Sequence, residues 1–373
     1  MNDSKIFWIG FNKIRGIGAV RLRQLLNHFG SLESAWNASY EELRRAGIGE
    51  KTAQSVVENR RTLRLEDELA LIEKSEISIL TWEDEGYPRR LREIDQPPPV
   101  LFIKGKLEEQ DDWAVSIVGT RQKTEYGRQV TEELSAFLVQ NHITVISGLA
   151  RGIDSIAHHS SLQAGGRTIA ILGCGVDQIY PPEHRALAEK IIQSGALISE
   201  YSLGTPPDGI NFPPRNRLIS GLSLATIVVE AGDTSGSLIT ATFAVNQGRE
   251  VFALPGNIYS PKSRGTNRLI QNGARPLLEF EEILQVLDIQ QVASKQQARN
   301  LLPSGALEIA LFEVLSREPL HVDDIQSVTG LPVEQISATL VMMELKGLVR
   351  LIKPMTYVSI REDNVSYEVN QHD

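Results

Sequence analysis

One cysteine, Cys174, stands in the 373 residues of the chain, so no internal disulfide can form. That thiol lies between Gly173 and Gly175 with no basic neighbour, which suits a small strand-end residue better than a reactive nucleophile. A reducing cytoplasm is the compartment to expect. Long apolar runs are also missing: none approaches the roughly 20 residues that cross a bilayer. The first ten residues lack the basic start, apolar run and small-residue cleavage site of a secretion signal. Positive charge is in short supply. Lys and Arg total 38 against 47 Asp and Glu, a net charge of −9, which argues against a generic polyanion binder. No Gly-x-Gly-x-x-Gly follows the first strand pattern and no Walker A sequence is present, which weakens NAD, FAD and ATP as ligands. His158 and His159 are neighbours within a helical run, so they cannot share a face, and metal-ligand spacing is absent. No metal and no cofactor are expected.

What is present begins with the stretch from Thr144 to His159. A β-branched apolar run reads as a buried parallel strand. It stops at Ser147-Gly148, and a second glycine, Gly152, follows Arg151. A helical pattern opens at Asp154. Strand, glycine turn and helix start together aim backbone N–H groups at an anion. Glycine admits a phosphate closely, and an arginine can add a bidentate charged contact. From Trp113 to Phe280 such units repeat. Strands are expected at 115–118, 144–146, 168–172, 196–199, 226–229 and 250–253. Helices are expected at 126–140, 155–164, 183–194, 216–222 and 238–247. This alternation implies a doubly wound, mostly parallel, Rossmann-like α/β sheet, which binds ligands beyond the carboxyl ends of its strands.

Glycines, hydroxyls and arginines collect at those ends. They are Gly119-Thr120-Arg121, then Ser147 to Gly152, then Gly173 to Asp177 with Tyr180, then Glu200, then Glu230 with Ser235-Gly236-Ser237. Phe212-Pro213-Pro214-Arg215-Asn216-Arg217 precedes a helix start. Residues 113–278 hold 14 Lys and Arg against 12 Asp and Glu, the one stretch that is not acidic. Four arginines, Arg121, Arg151, Arg215 and Arg217, are expected in one crevice that binds phosphate or a nucleic-acid backbone. The strand-end carboxylates Asp154, Asp177, Glu200 and Glu230 could form an acid/base pair, or could cap helices and orient arginines.

The flanks differ. Gly16-Ile17-Gly18 and Gly47-Ile48-Gly49 each lead into a helix, a pattern similar to helix-hairpin-helix units whose amides can hold a DNA phosphate. In this acidic segment the glycines read more readily as packing devices. Domains are expected at 1–75 (small, helical), 76–288 (extended Rossmann-like, DNA-binding) and 304–361 (winged helix), with a polar, glutamine-rich linker at 289–303. The last segment shows three helices and a two-stranded ribbon. Its third helix carries Glu334, Gln335 and Glu344, and residues 301–373 hold 5 basic against 11 acidic residues. That is poor for a major-groove reader, so a protein-contact or regulatory role is expected.

Several ordered blocks between about residues 85 and 280 resemble the DprA/Smf family of DNA-processing proteins. They are Gly86-Tyr87-Pro88, Pro98-Pro99-Val100-Leu101-Phe102, Ser147 to Asp154, Phe212 to Arg217, Ser235 to Ala241 and Gly265 to Ile270. The resemblance implies a non-enzymatic, cytoplasmic, homodimeric protein that binds single-stranded DNA. It would shield incoming strands in natural transformation and help load a RecA-type recombinase. It assigns Gly119, Arg121, Ser147, Gly148, Arg151, Gly152, Arg215, Asn216 and Arg217 to the strand-binding pocket. Tyr180, Phe212, Ser235 and Gly236 would support it, the aromatics by stacking on bases. The competing reading is a related Rossmann-like group that hydrolyses nucleoside monophosphates with a Pro-Gly-Gly-x-Gly-Thr-x-x-Glu loop. Here the corresponding stretch, Glu230 to Ser237, lacks the double glycine and the trailing glutamate.

Overall fold

The computed structural model describes residues 5–287, 306–315, 320–345, 349–353 and 355–359. The linker expected at 289–303 lies outside them. Contacts divide the chain into two compact units, Met1–Ile283 and Leu284–Asp373.

Six short helices open the first unit: α1 (Lys5–Asn12), α2 (Ala19–Phe29), α3 (Leu32–Asn37), α4 (Tyr40–Arg45), α5 (Glu50–Thr62) and α6 (Leu65–Lys74). Serines start two of them. Ser31 caps α3, and Ser39 forms a capping box with Glu42 on α4, satisfying backbone donors that a helix start leaves open. The buried faces of these helices meet in one cluster that contains Trp8, Phe11, Leu25 and Trp36. The same cluster takes in Ile77, Ile79, Val100 and Phe102 of the first two strands. Helices and sheet therefore share a core.

The strands are β1 (Ile77–Thr81), β2 (Val100–Gly105), β3 (Ala114–Val118), β4 (Thr144–Ser147), β5 (Thr168–Ile171), β6 (Ala196–Ser199), β7 (Ala225–Val228), β8 (Glu250–Ala253) and β9 (Arg275–Pro276). They form one sheet in the order β1-β2-β6-β5-β4-β3-β7-β8-β9. Pairings from β6 through β9 are parallel, while β1–β2 and β2–β6 are antiparallel. Strands β3 to β7 read as continuous buried runs, as expected where helices cover both faces. The covering helices are α8 (Glu125–Gln140), α9 (Ile153–Gln163), α10 (Arg185–Ser194), α11 (Phe212–Gly221), α12 (Gly236–Asn246) and α13 (Arg264–Gln271), after the single-turn α7 (Arg89–Arg92); α14 (Glu281–Val286) follows β9. Strand order reverses at β3. Chain-adjacent strands run one way to β6, and β7 sits on the other side. A fold of this kind opens its ligand crevice at that reversal.

Four helices begin earlier than their sequence pattern suggests, α8 by one residue, α9 and α12 by two, and α11 by four. Helix α11 starts at Phe212, not Asn216, because Pro213 and Pro214 fall in its first turn, where no intrahelical N–H is needed. Helix α9 starts at Ile153, with Gly152 as its N-cap.

In the second unit, α15 (Ala306–Val314), α16 (Val322–Thr329) and α17 (Val333–Leu345) pack with a three-stranded sheet. Its strands are β10 (Leu320–His321), β11 (Val349–Lys353) and β12 (Thr356–Ser359), in the order β10-β12-β11. The core holds Leu311, Ile325, Ile336, Leu340, Met343 and Tyr357. This is a winged helix with one more strand than the expected ribbon.

Candidate nucleic-acid interface

The turns after β3 and β7 are tied together at the strand-order reversal. The N–H of Thr120 donates to Glu230 O at 2.8 Å. The buried Glu230 carboxylate accepts from the N–H of Thr124 at 3.0 Å and from its hydroxyl at 2.5 Å. Thr124 is the N-cap of α8, so Glu230 completes a helix start. Above these turns lies a crevice of about 960 Å3. Its walls include Gly119, Thr120 and Arg121, then Tyr180 and Phe212, then Arg215 and Asn216, and then Asp233 to Ser237.

The four arginines expected together are not together, which corrects the sequence reading. Arg121 is exposed at the crevice, and no ion pair engages it among the described residues. Arg215 also lines the crevice but is only 5% exposed. Its guanidinium donates to Gly148 O at 2.9 Å and to Ile171 O, and lies 5.7 Å from the Phe212 ring centroid. Asp154 is buried beside it. A Cβ at Gly148 would sit 2.9 Å from both Arg215 Nη2 and Asp154 Oδ2, so only glycine lets the two groups approach there. Burial pushes the Asp154 carboxyl up, opposed by Arg215 and by the N–H of Gly148. Burial pulls the Arg215 guanidinium down, opposed by Asp154.

Arg217, two residues further along α11, makes two bonds to Glu200, at 2.9 and 2.7 Å. It lines a separate cleft of about 670 Å3, walled by Asn12 to Ala19 and by Glu200 to Thr205. Arg151 pairs with Glu183 at 2.5 Å, with both side chains about half exposed, and does not line the crevice. An exposed pair of this kind is worth little and is easily exchanged.

The expected glycines and hydroxyls also divide. Ser147 is fully buried and donates to Ile117 O at 2.6 Å. A Cβ at Gly119 would collide with Ile153, and Gly148 is buried between charged groups. Gly152 adopts φ +82° against Thr120 O, a conformation and a space that suit glycine alone. These residues shape the turns and are not free to meet a ligand, apart from Gly119 at the wall. By contrast, nothing lies within 4 Å of a Cβ placed on Gly236, at the exposed start of α12. Ser235 caps that helix, and Asn216 Nδ2 reaches Gly236 O at 3.3 Å. Tyr180 and Phe212 pack ring to ring, 5.6 Å apart and tilted by 35°, with Tyr180 37% exposed.

The sequence reading missed Lys262, which lines the crevice and donates to Gln122 Oε1 at 3.0 Å. It also missed that Asp233, a carboxylate in the wall, is held by Arg268 at 2.7 Å and approached by Arg264 at 3.9 Å. No signal was available for either. Lys262 stands nine residues beyond β8, and Asp233 meets its partners across the fold. Elsewhere, the Cys174 thiol is raised to about 11 by burial, consistent with an inert strand-end residue. His158 is lowered to about 3, by burial first and then by His184 and Arg215, so it stays neutral. Among the described residues, no group of side chains could hold a metal ion, and no helix is long and apolar enough to cross a membrane.

A family model described as DNA recombination-mediator protein A matches residues 78–288. The chain belongs to that family, DprA/Smf. Two further models match the flanks: a SAM-like helix-hairpin-helix tandem at residues 11–62 and the DprA winged helix domain at residues 295–351. Protein Smf of Synechocystis sp. is 37% identical, covering 95% of this chain and 99% of its own length. Protein Smf of Escherichia coli is 38% identical over 80% of this chain and 81% of its own. The X-ray structure of DprA from Streptococcus pneumoniae superposes with a TM-score of 0.66 at 32% identity, covering 75% of this chain and 97% of that one. A structure of the Helicobacter pylori DNA processing protein A, reported for its single-stranded DNA binding mode, gives a TM-score of 0.52 at 32% identity, covering 57% and 95%. DprA/Smf membership places the chain among DNA-processing, recombination-mediator proteins.

Proposed function

We propose that the chain holds single-stranded DNA by its sugar–phosphate backbone in the crevice at the strand-order reversal. The reading extends to its role: it shields incoming strands in natural transformation and helps load a RecA-type recombinase, as a cytoplasmic homodimer. The observation that carries the proposal is Arg121, exposed in a 960 Å3 crevice without a carboxylate partner among the described residues. The other expected arginines have protein partners. Arg121 can grip a phosphate by two parallel bonds, while exposed Tyr180 offers a ring to a base. The strand-end start of α12 adds backbone donors.

Bond-breaking chemistry finds no support in the same crevice. Asp154 is enclosed beside Arg215, Glu230 holds the Thr124 cap of α8, and Asp233 is held by arginines. Among the described crevice residues, no pair of carboxylates is left to act as acid and base. Incubation of the protein with nucleoside monophosphates should release no free base, and release would favour the hydrolase reading.

The binding test is a titration of single- and double-stranded oligonucleotides at two salt concentrations. The single strand should bind more tightly. Arg121→Ala should weaken binding and flatten its salt dependence by about 0.7 in the log–log slope, one phosphate contact on a single strand. Unchanged binding would put the site elsewhere.

A further inference from the structure

We infer that Lys262 is a second phosphate-holding side chain of the crevice, contributed by the loop between β8 and α13, for a single-stranded polynucleotide. This inference rests on the reading of the crevice as a single-stranded DNA site. Loop 254–263 leaves the carboxyl end of β8 and doubles back over β7. The N–H of Ala231 donates to Lys262 O at 2.8 Å, and the N–H of Gly265 donates to Ala231 O at 2.8 Å. These two bonds fix the Lys262 backbone beside the turn that follows β7. From there its half-buried side chain lines the crevice together with Arg121 and Gln122.

The charges decide what the lysine can do. Its Nζ rests on the amide oxygen of Gln122, a neutral acceptor, at 3.0 Å. No ion pair engages Lys262 among the described residues. The exposed carboxylate in the wall, Asp233, is held by Arg268 at 2.7 Å and approached by Arg264 at 3.9 Å. Asp154 lies buried with Arg215. Among the described crevice residues, Arg121 and Lys262 are thus the cations that no carboxylate matches. They come from two different loops, the turn after β3 and the loop between β8 and α13. An ammonium on a flexible stem is a compact, mobile charge, and a guanidinium is a rigid fork. Arg121 suits one phosphate held by two bonds, and Lys262 can follow a neighbouring one. A phosphate oxygen displaces the Gln122 oxygen because its negative charge adds a Coulomb attraction to the ammonium that the neutral amide oxygen lacks. Gln122 then serves to keep the ammonium pointed across the opening until a strand arrives.

The test uses the full chain and a fluorescent oligothymidine, titrated at about 50 and about 200 mM salt. Lys262→Ala should weaken binding and lower the log–log salt slope by about 0.7. The loss against the parent is then about 2.6-fold larger at the lower salt, which is fourfold dilution raised to that slope. Lys262→Arg should keep the slope. Gln122→Ala should keep it too, since no charge is removed. Lys190→Ala, an exposed cation on α10 outside the crevice, should match the parent. Two results would overturn the inference. One is a Lys262→Ala variant with the parental slope. The other is equal losses in Lys262→Ala and Gln122→Ala at unchanged slope, the mark of a simple loop tie. Arg121→Ala is run alongside. If it also keeps the parental slope, the crevice reading fails; if Lys262→Ala alone does, only the lysine's role fails.

Discussion

Arg215 and Arg121 both border the crevice, yet their surroundings differ. Arg215 is enclosed, with two main-chain carbonyls as acceptors and Asp154 as its nearest opposite charge. Breaking a buried arrangement of this sort leaves an uncompensated charge, at a cost of about 3–5 kcal/mol. Arg215→Ala should therefore lower stability by that order in a denaturant titration, and any fall in DNA binding should follow the fall in folded protein. A variant as stable as its parent would show that Arg215 is not a structural cation. At this scale the sequence showed where arginines lie but not what holds them. Glu183 is 32 positions from Arg151, and Glu200 is 17 positions from Arg217. Ion pairing at those separations depends on the finished topology. Residue type plus strand-end position therefore indicated a cationic crevice, of which Arg121 is the accessible member and Lys262 the one overlooked.

Among the elements, the parallel strands were legible because burial on both faces leaves near-continuous apolar runs. Strand β9, two residues long and containing Pro276, leaves no such run and was not seen. Helix α11 was read short because proline usually marks an end, whereas here two prolines sit in a first turn. Helix α8 shows how tightly one element depends on another's turn. Its Thr124 cap is held by Glu230, and Gly127 leaves that carboxylate its room: a Cβ there would run into Glu230 Oε2. Gly127→Ala, usually favourable within a helix, should destabilise this protein by about 1–3 kcal/mol, as overpacking does. Thermal unfolding measures it. A raised midpoint would mean that Glu230 moves aside freely and that the link between β7 and α8 is loose.

For the whole molecule, the division into two compact units and the acidity of residues 301–373 bear on the same experiment. A segment with 5 basic and 11 acidic residues adds repulsion toward a polyanion, not attraction. A chain ending at residue 287 should keep most of its affinity for single-stranded oligonucleotides and unfold in one transition. Complete loss of binding would assign the affinity to the winged helix.

The front of the chain permits no such trimming. Because Trp8, Phe11 and Trp36 lie in one cluster with Ile77, Ile79, Val100 and Phe102, cleavage after α6 would strip the cover from an outer strand pair. A protease nick there would release a sticky, self-associating remnant, so any miniaturised version of this protein has to begin with the helices and not with the sheet.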